Sequence, residues 1–150
     1  MTAPRRPEPV STRPLVDKLG IQPGARVAIV GVPDAELRRM LRDRDAEVDE
    51  PDPRPGTDLI FFGASELRDL DSLAQLRTAL TPAGAIWVVW RKGKAATLRD
   101  VEVIAAAIAN GLVDNKVVSF SATHTAQRLV IPRSLRAEHA AATGQEEVRR

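Results

Sequence analysis

The chain has 150 residues, of which 43% are hydrophobic and 28% are charged, as expected for one compact domain that buries a core. Cysteine is absent and only two histidines occur, which excludes disulfides, a thiolate nucleophile and a cysteine-based zinc site. The formal net charge is only +2, and because nucleic-acid interfaces need clustered positive charge, a nucleic-acid partner is not favoured.

The two ends of the sequence differ in composition from its middle. Residues 1–13 are rich in Pro and Arg and predict a disordered arm, and residues 134–150 are polar and predict a flexible tail. The start of the chain lacks the apolar run of a secretory signal, and no later segment has the length and apolarity of a membrane span. We therefore expect a single α/β domain over residues 14–133, in a cytoplasmic protein without a membrane partner.

The first predicted elements are a short helix, a strand and a longer helix. The segment "RPLVDKLGI" places apolar residues at helical spacing before Gly20, which predicts a helix packed on the sheet edge. The segment Arg26–Val30, apolar from Val27 onward, predicts a buried strand, and the tight turn after it contains one glycine, Gly31. A helix over about residues 34–43 begins with an acidic turn, and Asp34 is its candidate N-cap.

The middle of the chain carries the strongest strand and helix patterns. A weak strand, "AEVDE", and a proline-rich loop precede the apolar run "DLIFFGAS" over residues 58–65, which predicts a strand buried on both faces. Leucines at three- and four-residue steps predict one helix over residues 66–80. The segment "TPAG" then ends this helix and turns the chain into the strand "AIWVVW".

The last third of the chain predicts a helix and a hairpin. Residues 97–112 have helical periodicity, with Thr97 and Asp100 at the spacing of a capping box and Gly111 as the stop. The strands "KVVSFSA" and "AQRLVIP" are separated by "THT" and predict an antiparallel hairpin. The regular structure of the domain is therefore expected to end on two antiparallel strands.

The alternation of strands and helices is typical of a doubly wound, mostly parallel sheet. Ligands of such sheets bind beyond the carboxyl ends of the strands, so the residues that follow each strand are candidates for a site. We therefore predict one rim of cofactor- or ligand-binding residues, formed by Gly31, Asp34, Asp49, Trp90, Arg91, Lys92 and Lys94.

Several of the polar and aromatic candidates admit two interpretations. Trp90 either stacks on a ring at the mouth of the sheet or packs in the core. The segment "RKGK" at residues 91–94 precedes a predicted helix and either contacts a phosphate or carboxylate or forms a solvated loop. Residues 114–116 either hold a site or satisfy backbone groups between a helix and a strand. His124 acts as a base or lies in a surface turn, and the sequence near it supplies no orienting carboxylate.

The order "VAIVG", "AEVDE", "DLIFFGA" and "LTPAGAIWVVW" resembles the core of the S-adenosylmethionine (SAM)-dependent methyltransferases over residues 26–131. The resemblance implies a Rossmann-like sheet, with Asp49 or Glu50 at the position of the acidic ribose ligand. The glycine-rich loop of that family would occupy "GVPDA", where this chain has Val32 and Pro33. Because these side chains block the close backbone approach that glycines allow, we expect neither SAM nor NAD to bind usefully.

Two longer segments, "STRPLVDKLGIQPGARVAIVGVP" and "GLVDNKVVSFSATHTAQRLVIP", are similar to a small bacterial family classified as domain of unknown function three thousand and fifty-two. The resemblance spans most of the chain between its two tails. It implies no catalytic residues, and a Trp is common in that family where this chain has Thr125.

Two functions from different classes follow from these patterns. The favoured prediction is a non-catalytic binding or regulatory module on a methyltransferase-like sheet, without catalytic residues, cofactor or metal, whose partner is a protein or a small anionic ligand. The alternative is an enzyme or sensor for an anionic or nucleotide-like ligand, including a divergent methyltransferase. Fold resemblance alone does not choose between them.

Overall fold

The structure is a computed structural model, and it describes residues 13–144. The arm predicted over residues 1–13 therefore lies outside the described residues except for Arg13. Six strands form one sheet: β1 (Arg26–Val30), β2 (Glu47–Asp49), β3 (Thr57–Gly63), β4 (Leu80–Arg91), β5 (Val113–Ser119) and β6 (His124–Val130). The helices are α1 (Leu15–Lys18), α2 (Ala35–Asp43), α3 (Leu73–Arg77), α4 (Asp100–Ala109) and α5 (Arg136–Thr143), with 3-10 turns at Leu67–Ser72, Gly93–Ala95 and Arg133–Leu135.

The sheet has the strand order β2-β1-β3-β4-β6-β5. The pairs β1/β2, β1/β3 and β3/β4 are parallel, and β6 pairs antiparallel with both β4 and β5. The predicted fold, a doubly wound and mostly parallel sheet with a C-terminal antiparallel hairpin, is therefore confirmed. Because the chain moves from β1 outward to β2 and from β3 in the other direction to β4, the topological switch point lies between β1 and β3.

Alternating side chains divide the core into two layers, one on each face of the sheet. Phe61 and Trp87 belong to one layer, with Leu37 of α2 packed over them. Ile60 and Val88 belong to the other layer, which α3 and α4 cover. Trp87 has no exposed surface and donates its indole N–H to the Leu19 carbonyl at 3.0 Å, so it is fully packed in the core.

Helix α1 was predicted to pack at the edge of the sheet. It lies over one face of the sheet, and the residues at its end contact strands β4 and β5. Lys116 Nζ of the edge strand β5 donates to the Lys18 carbonyl at 2.7 Å, and Leu19, next along the chain, accepts the bond from Trp87 in β4. Burial lowers the pKa of Lys116, and the positive charges of Arg13, Arg128 and Lys18 act in the same direction. Because β6 lies between β4 and β5, the end of α1 at residues 18–19 crosses over β6.

The single helix predicted over residues 66–80 is wrong in its form. A 3-10 turn at Leu67–Ser72 leads into the short helix α3, and the strand β4 already begins at Leu80, so "TPAG" lies within a strand. A register shift between Thr57 and Leu59 of β3 accompanies this irregular start of β4. Gly84 permits the close approach, because a Cβ there would lie 2.9 Å from the Asp58 carbonyl oxygen.

The hairpin strands begin earlier than predicted. Residues 114–116 lie inside β5, where Asp114 accepts a hydrogen bond from Gln127 at 3.1 Å, so they do not link a helix to a strand. The register of β5 against β6 shifts between Asp114 and Lys116. The predicted capping residue Thr97 also lies elsewhere: α4 begins after Arg99, whose backbone N–H donates to Glu102 at 2.9 Å.

The structure differs from the predicted flexible tail over residues 136–143, which form helix α5. His139 is only 3% exposed, and its Nε2 lies 2.8 Å from the Leu80 carbonyl oxygen, while Arg77 lies 3.4 Å from its Nδ1. The sequence signal was weak because this helix packs through a hydrogen-bonded histidine and alanines rather than through an aliphatic stripe. The domain limits 14–133 stay a prediction. None of the helices within residues 13–144 has the length and hydropathy needed to cross a bilayer.

Candidate functional site

A cavity of about 370 Å³ opens at the carboxyl ends of β1, β3 and β4. It is lined by the turn after β1 at residues 31–33, residues 63–65 at the end of β3, the side of β4 at Val89 and Arg91, and Ala95, Thr97 and His124. Its volume is within the range of small-molecule sites, and its position follows the rule for open α/β sheets. The cavity is therefore the candidate functional site.

The first wall is built by the close approach of two glycines. Gly31 has a φ of +76°, a conformation that favours glycine, and this turns the chain sharply after β1. A Cβ on Gly63 would lie 2.2 Å from the Gly31 carbonyl oxygen and 3.5 Å from a methyl group of Val32. Val32 is only 6% exposed and belongs to the core. The close contact of Gly31 with Gly63, together with Val32, therefore forms the wall of the cavity at the switch point.

The second wall is the loop after β3. Asp69 accepts hydrogen bonds from the backbone N–H groups of Ser65, at 2.8 Å, and Glu66, at 3.1 Å. These bonds, above all the one from Ser65, hold the pKa of the Asp69 carboxyl below its usual range. Thr97 donates its hydroxyl to the Ser65 carbonyl. The loop is therefore fixed both to its own 3-10 turn and to the segment that leads into α4.

The third wall joins the end of β4 to the start of β6. Arg91 stands opposite His124 in the antiparallel register, and both residues line the cavity. The backbone N–H of Lys92 donates to the Thr123 carbonyl at 3.0 Å, and the Thr123 hydroxyl lies 2.8 Å from His124 Nδ1. The hairpin loop and the end of β4 therefore form one continuous surface.

The cavity has a positive rim and no acidic lining. None of the residues that line it is an Asp or Glu. Within residues 13–144, no ion pair includes Arg91, Lys92 or Lys94. The ammonium group of Lys92 instead donates a hydrogen bond to the Ser119 hydroxyl at 2.7 Å. Positive charges without a protein counter-ion favour an anionic ligand at this end of the sheet.

Of the predicted rim residues, Gly31 and Arg91 line the cavity. Lys92 and Lys94 flank Gly93 beside it and do not line it. Trp90 is 5% exposed and packs in the core layer beneath α3 and α4. Because successive residues of a strand point to opposite faces, Trp90 and Arg91 do not face the same cavity. The structure thus favours the core interpretation of Trp90.

The two predicted acidic rim residues have structural partners. Asp34 caps α2 and accepts a hydrogen bond from the Leu37 N–H at 2.8 Å, as its predicted N-cap role requires. Asp49 forms ion pairs with Arg26 at 3.4 Å and Arg54 at 3.0 Å, and its side chain is 16% exposed. Neither carboxylate lines the cavity.

His124 is a lining residue for which the sequence left open a role as a base and a position in a surface turn. It is the first residue of β6, half-buried at the cavity wall. The predicted strand started two residues later, at Ala126. The signal that could have located it is the hairpin itself, because an antiparallel strand that returns beside β4 must begin next to the end of β4.

A metal site is not supported by the described part of the chain. Within residues 13–144, no group of three or more His, Cys, Asp or Glu side chains is placed to hold an ion. His139 lies in α5, where it is bonded to Leu80. The polar side chains that line the cavity are those of Ser65, Arg91, Thr97 and His124, which supply hydrogen-bonding groups and the positive charge of Arg91.

Several solved structures of methyltransferases are similar to this chain. A SAM-dependent methyltransferase from Aquifex aeolicus is 15% identical, with 78% of this chain and 88% of that chain covered and a TM-score of 0.55. A SAM-dependent O-methyltransferase from Thermotoga maritima is 10% identical, with 79% and 64% covered and a TM-score of 0.56. The magnesium protoporphyrin IX methyltransferase from Synechocystis with bound SAH is 11% identical, with 78% and 80% covered and a TM-score of 0.50.

No protein-family model matches the sequence, and no curated protein matches it. At identities of 10 to 15%, the similarity to solved structures concerns the fold alone. The chain has a Rossmann-like, methyltransferase-like fold, with the order and direction of strands described above.

Proposed function

We propose that this chain is a non-catalytic binding module that holds a small anionic molecule in the cavity at the carboxyl ends of β1, β3 and β4. The observation that carries the proposal is the lining of the cavity, which contains Val32, Pro33, Arg91 and His124 and no Asp or Glu. A nucleotide-type cofactor at a doubly wound sheet approaches the turn after the first strand closely, at the switch point. The side chains of Val32 and Pro33 stand at that turn, where glycines would allow such an approach, whereas Arg91 and His124 offer polar groups to an anion on the β4/β6 side.

The acidic residues at the end of β2 also support a ligand other than SAM. The resemblance to methyltransferases implies a ribose contact from Asp49 or Glu50. Asp49 is paired with Arg26 and Arg54, and Glu50 is paired with Arg38 of α2. Neither lines the cavity, so a molecule bound there would not meet a ribose-binding carboxylate.

The lining residues do not form a pair of nucleophile and base. The Ser65 hydroxyl lies 3.3 Å from Asp69, whose carboxylate already accepts two backbone N–H groups. The imidazole of His124 is bonded to Thr123 rather than to an orienting carboxylate. Nucleophilic catalysis requires the base to contact the nucleophile and to be oriented by a third group. This arrangement supports binding without chemistry.

The proposal is tested by thermal unfolding with SAM, SAH and NAD at millimolar concentration. A ligand at a thousand times its dissociation constant stabilises a fold by about 4 kcal/mol, which raises Tm by roughly 8 to 16 °C in a domain of this size. We expect a shift below about 1 °C for all three, because weak binding adds almost no free energy.

A divergent methyltransferase is the second candidate, and the position of the cavity at the carboxyl ends of the strands favours it. A methyltransferase would replace the binding module as the proposed function if SAM produced a large rise in Tm. The shift should then fall in Asp49→Asn and persist in Asp52→Asn, which changes an exposed carboxylate in the following loop. Comparing the ligand-induced shift, rather than Tm itself, removes any effect of the lost ion pairs on stability.

A further inference from the structure

The imidazole of His124 stands at the end of a short chain of hydroxyl groups. Thr123 Oγ1 lies 2.8 Å from His124 Nδ1 and 3.4 Å from Ser121 Oγ. Ser121 Oγ also accepts two backbone N–H bonds, from Thr123 at 3.2 Å and from His124 at 3.1 Å. The two hydroxyl groups hold His124 at its Nδ1 atom and leave its Nε2 atom available to a ligand.

The hydroxyl groups allow hydrogen bonds to be donated from Ser121 toward His124. Because Ser121 Oγ already accepts two backbone bonds, its own hydrogen is best donated to Thr123 Oγ1. Thr123 can then donate its hydrogen to His124 Nδ1, which it does if the ring is in the tautomer that leaves Nδ1 without a proton. A neutral imidazole that accepts at Nδ1 carries its proton on Nε2. Among the described residues Nε2 has no partner, so the ring offers an N–H donor at the cavity wall.

Arg91 completes a two-residue binding surface with this donor. The two residues are direct partners across the antiparallel pair β4/β6, so their side chains leave the same face of the sheet. Arg91 is exposed, and it forms no ion pair within residues 13–144. Lys92 and Lys94 add positive charge beside it.

We propose that Arg91 and His124 bind the phosphate group of a phosphate monoester, an assignment that rests on the proposed function. A guanidinium fork takes two oxygens of an anion in parallel. A carboxylate then has both of its oxygens on the guanidinium, whereas a phosphate monoester still presents a third terminal oxygen, which suits the Nε2–H of His124. Its two negative charges also match the several cations without carboxylate partners. The apolar wall at Val32 and Val89 receives the organic part of the molecule.

The tautomer of His124 is the first test. The chain has two histidines, so a long-range proton–nitrogen NMR spectrum resolves both, and His139 serves as an internal reference. We expect His124 in its Nε2–H form in the free wild-type protein, and a mixture of tautomers in Thr123→Val. An Nδ1–H form in the wild type would overturn the assignment, because Nε2 would then present a lone pair to the anion.

Binding of phenyl phosphate is the second test, with phenylacetate as a carboxylate of similar size. Phenyl phosphate should move the His124 ring resonances and leave those of His139 in place. Arg91→Gln should weaken its binding at least ~10-fold, the usual effect of losing a charged hydrogen bond. Arg133→Gln, an exposed arginine after the far end of β6, should leave binding unchanged.

Each contrary outcome separates the assignment from the proposed function. Equal affinity for phenylacetate and phenyl phosphate, or an Arg91→Gln variant that binds as the wild type does, overturns the phosphate assignment. If phenylacetate alone moves the methyl resonances of Val32 and Val89, the cavity still binds small anions and the proposed function stands. If neither probe moves these methyl groups or His124, both the assignment and the proposed function are wrong.

Discussion

Replacing Gly63 by alanine tests the close approach of β1 and β3 that shapes the cavity. The added Cβ would lie 2.2 Å from the Gly31 carbonyl oxygen, against an ordinary contact of at least 3.4 Å. The two backbones would therefore have to separate by about 1.2 Å, the difference between these distances. Neither side can yield by rotating a flexible side chain, because the nearest atoms belong to the backbone of Gly31.

The expected cost of Gly63→Ala is large for a single methyl group. Overpacking of a well-packed interior costs about 1–3 kcal/mol, and a clash between two backbones belongs at the upper end. A loss of about 3 kcal/mol corresponds to a fall in Tm of roughly 6 to 12 °C for a domain of this length. The turn after β1 should also move, so binding of phenyl phosphate should weaken in the same variant.

The assay is thermal unfolding followed by circular dichroism, with Gly20→Ala as the matched control. Gly20 has a φ of +71° and open space around its Cβ position. Its substitution should cost only the backbone strain of a left-handed residue, about 1 kcal/mol or roughly 2 to 4 °C. A Gly63→Ala variant that loses no more than this control would refute the role given to the Gly31–Gly63 contact.

Three further predictions concern stability. Asp34→Ala should cost about 1 kcal/mol through the lost N-cap of α2, whereas Asp43→Ala, in an exposed ion pair at the other end of that helix, should change urea unfolding little. Removing residues 134–150 should lower the urea midpoint, because it deletes α5 and its buried His139; truncation after residue 144 is the control and should not. The lowered pKa of Asp69 stabilises the fold above the carboxyl's ordinary pKa, and this stabilisation is lost as pH falls through the lowered value. In Asp69→Asn, the free energy of unfolding measured by urea titration should therefore decrease less steeply than in the wild type as the pH falls below about 4.

The elements that sequence predicted well are those in which one local pattern decides the structure. The segment Arg26–Val30, apolar from Val27 onward, was predicted as a strand and is β1 to the residue. Helix α2 combines an N-cap, an acidic first turn and an apolar face, all of which agree, and Leu37 and Leu41 are buried as that face requires. Agreement of independent local signals is what allows a sequence to specify an element.

The elements that sequence missed depend on contacts between distant parts of the chain. Leucine spacing did not distinguish a 3-10 turn from an α-helix over residues 67–72, because both place such residues on one side. The pairing of Arg91 with His124 depends on the register of β4 against β6, which a single sequence does not contain. Asp49 was expected after a strand and is the last residue of β2, and its ion pair with Arg26 joins residues 23 positions apart.

The sequence predicted the location of the cavity better than it predicted which residues line it. The rule for open sheets predicted the end of the sheet at which the cavity lies, and Gly31 and Arg91 both line that cavity. The same rule could not tell that Trp90, one residue away, points to the other face. Whether the lining residues bind a ligand stays a prediction until the experiments above are done.

The irregular register of β5 has a consequence for how this domain meets other chains. A strand at the edge of a sheet exposes unpaired backbone groups that can template the addition of a foreign strand, and a bulge or an inward-pointing charge interrupts that template. At one edge, β5 shifts register between Asp114 and Lys116, and Lys116 turns back to bond the Lys18 carbonyl. At the other edge, β2 is only three residues long. Neither border of the sheet offers a long regular strand, so this architecture resists edge-to-edge aggregation, and a protein partner is expected to dock on helices or loops.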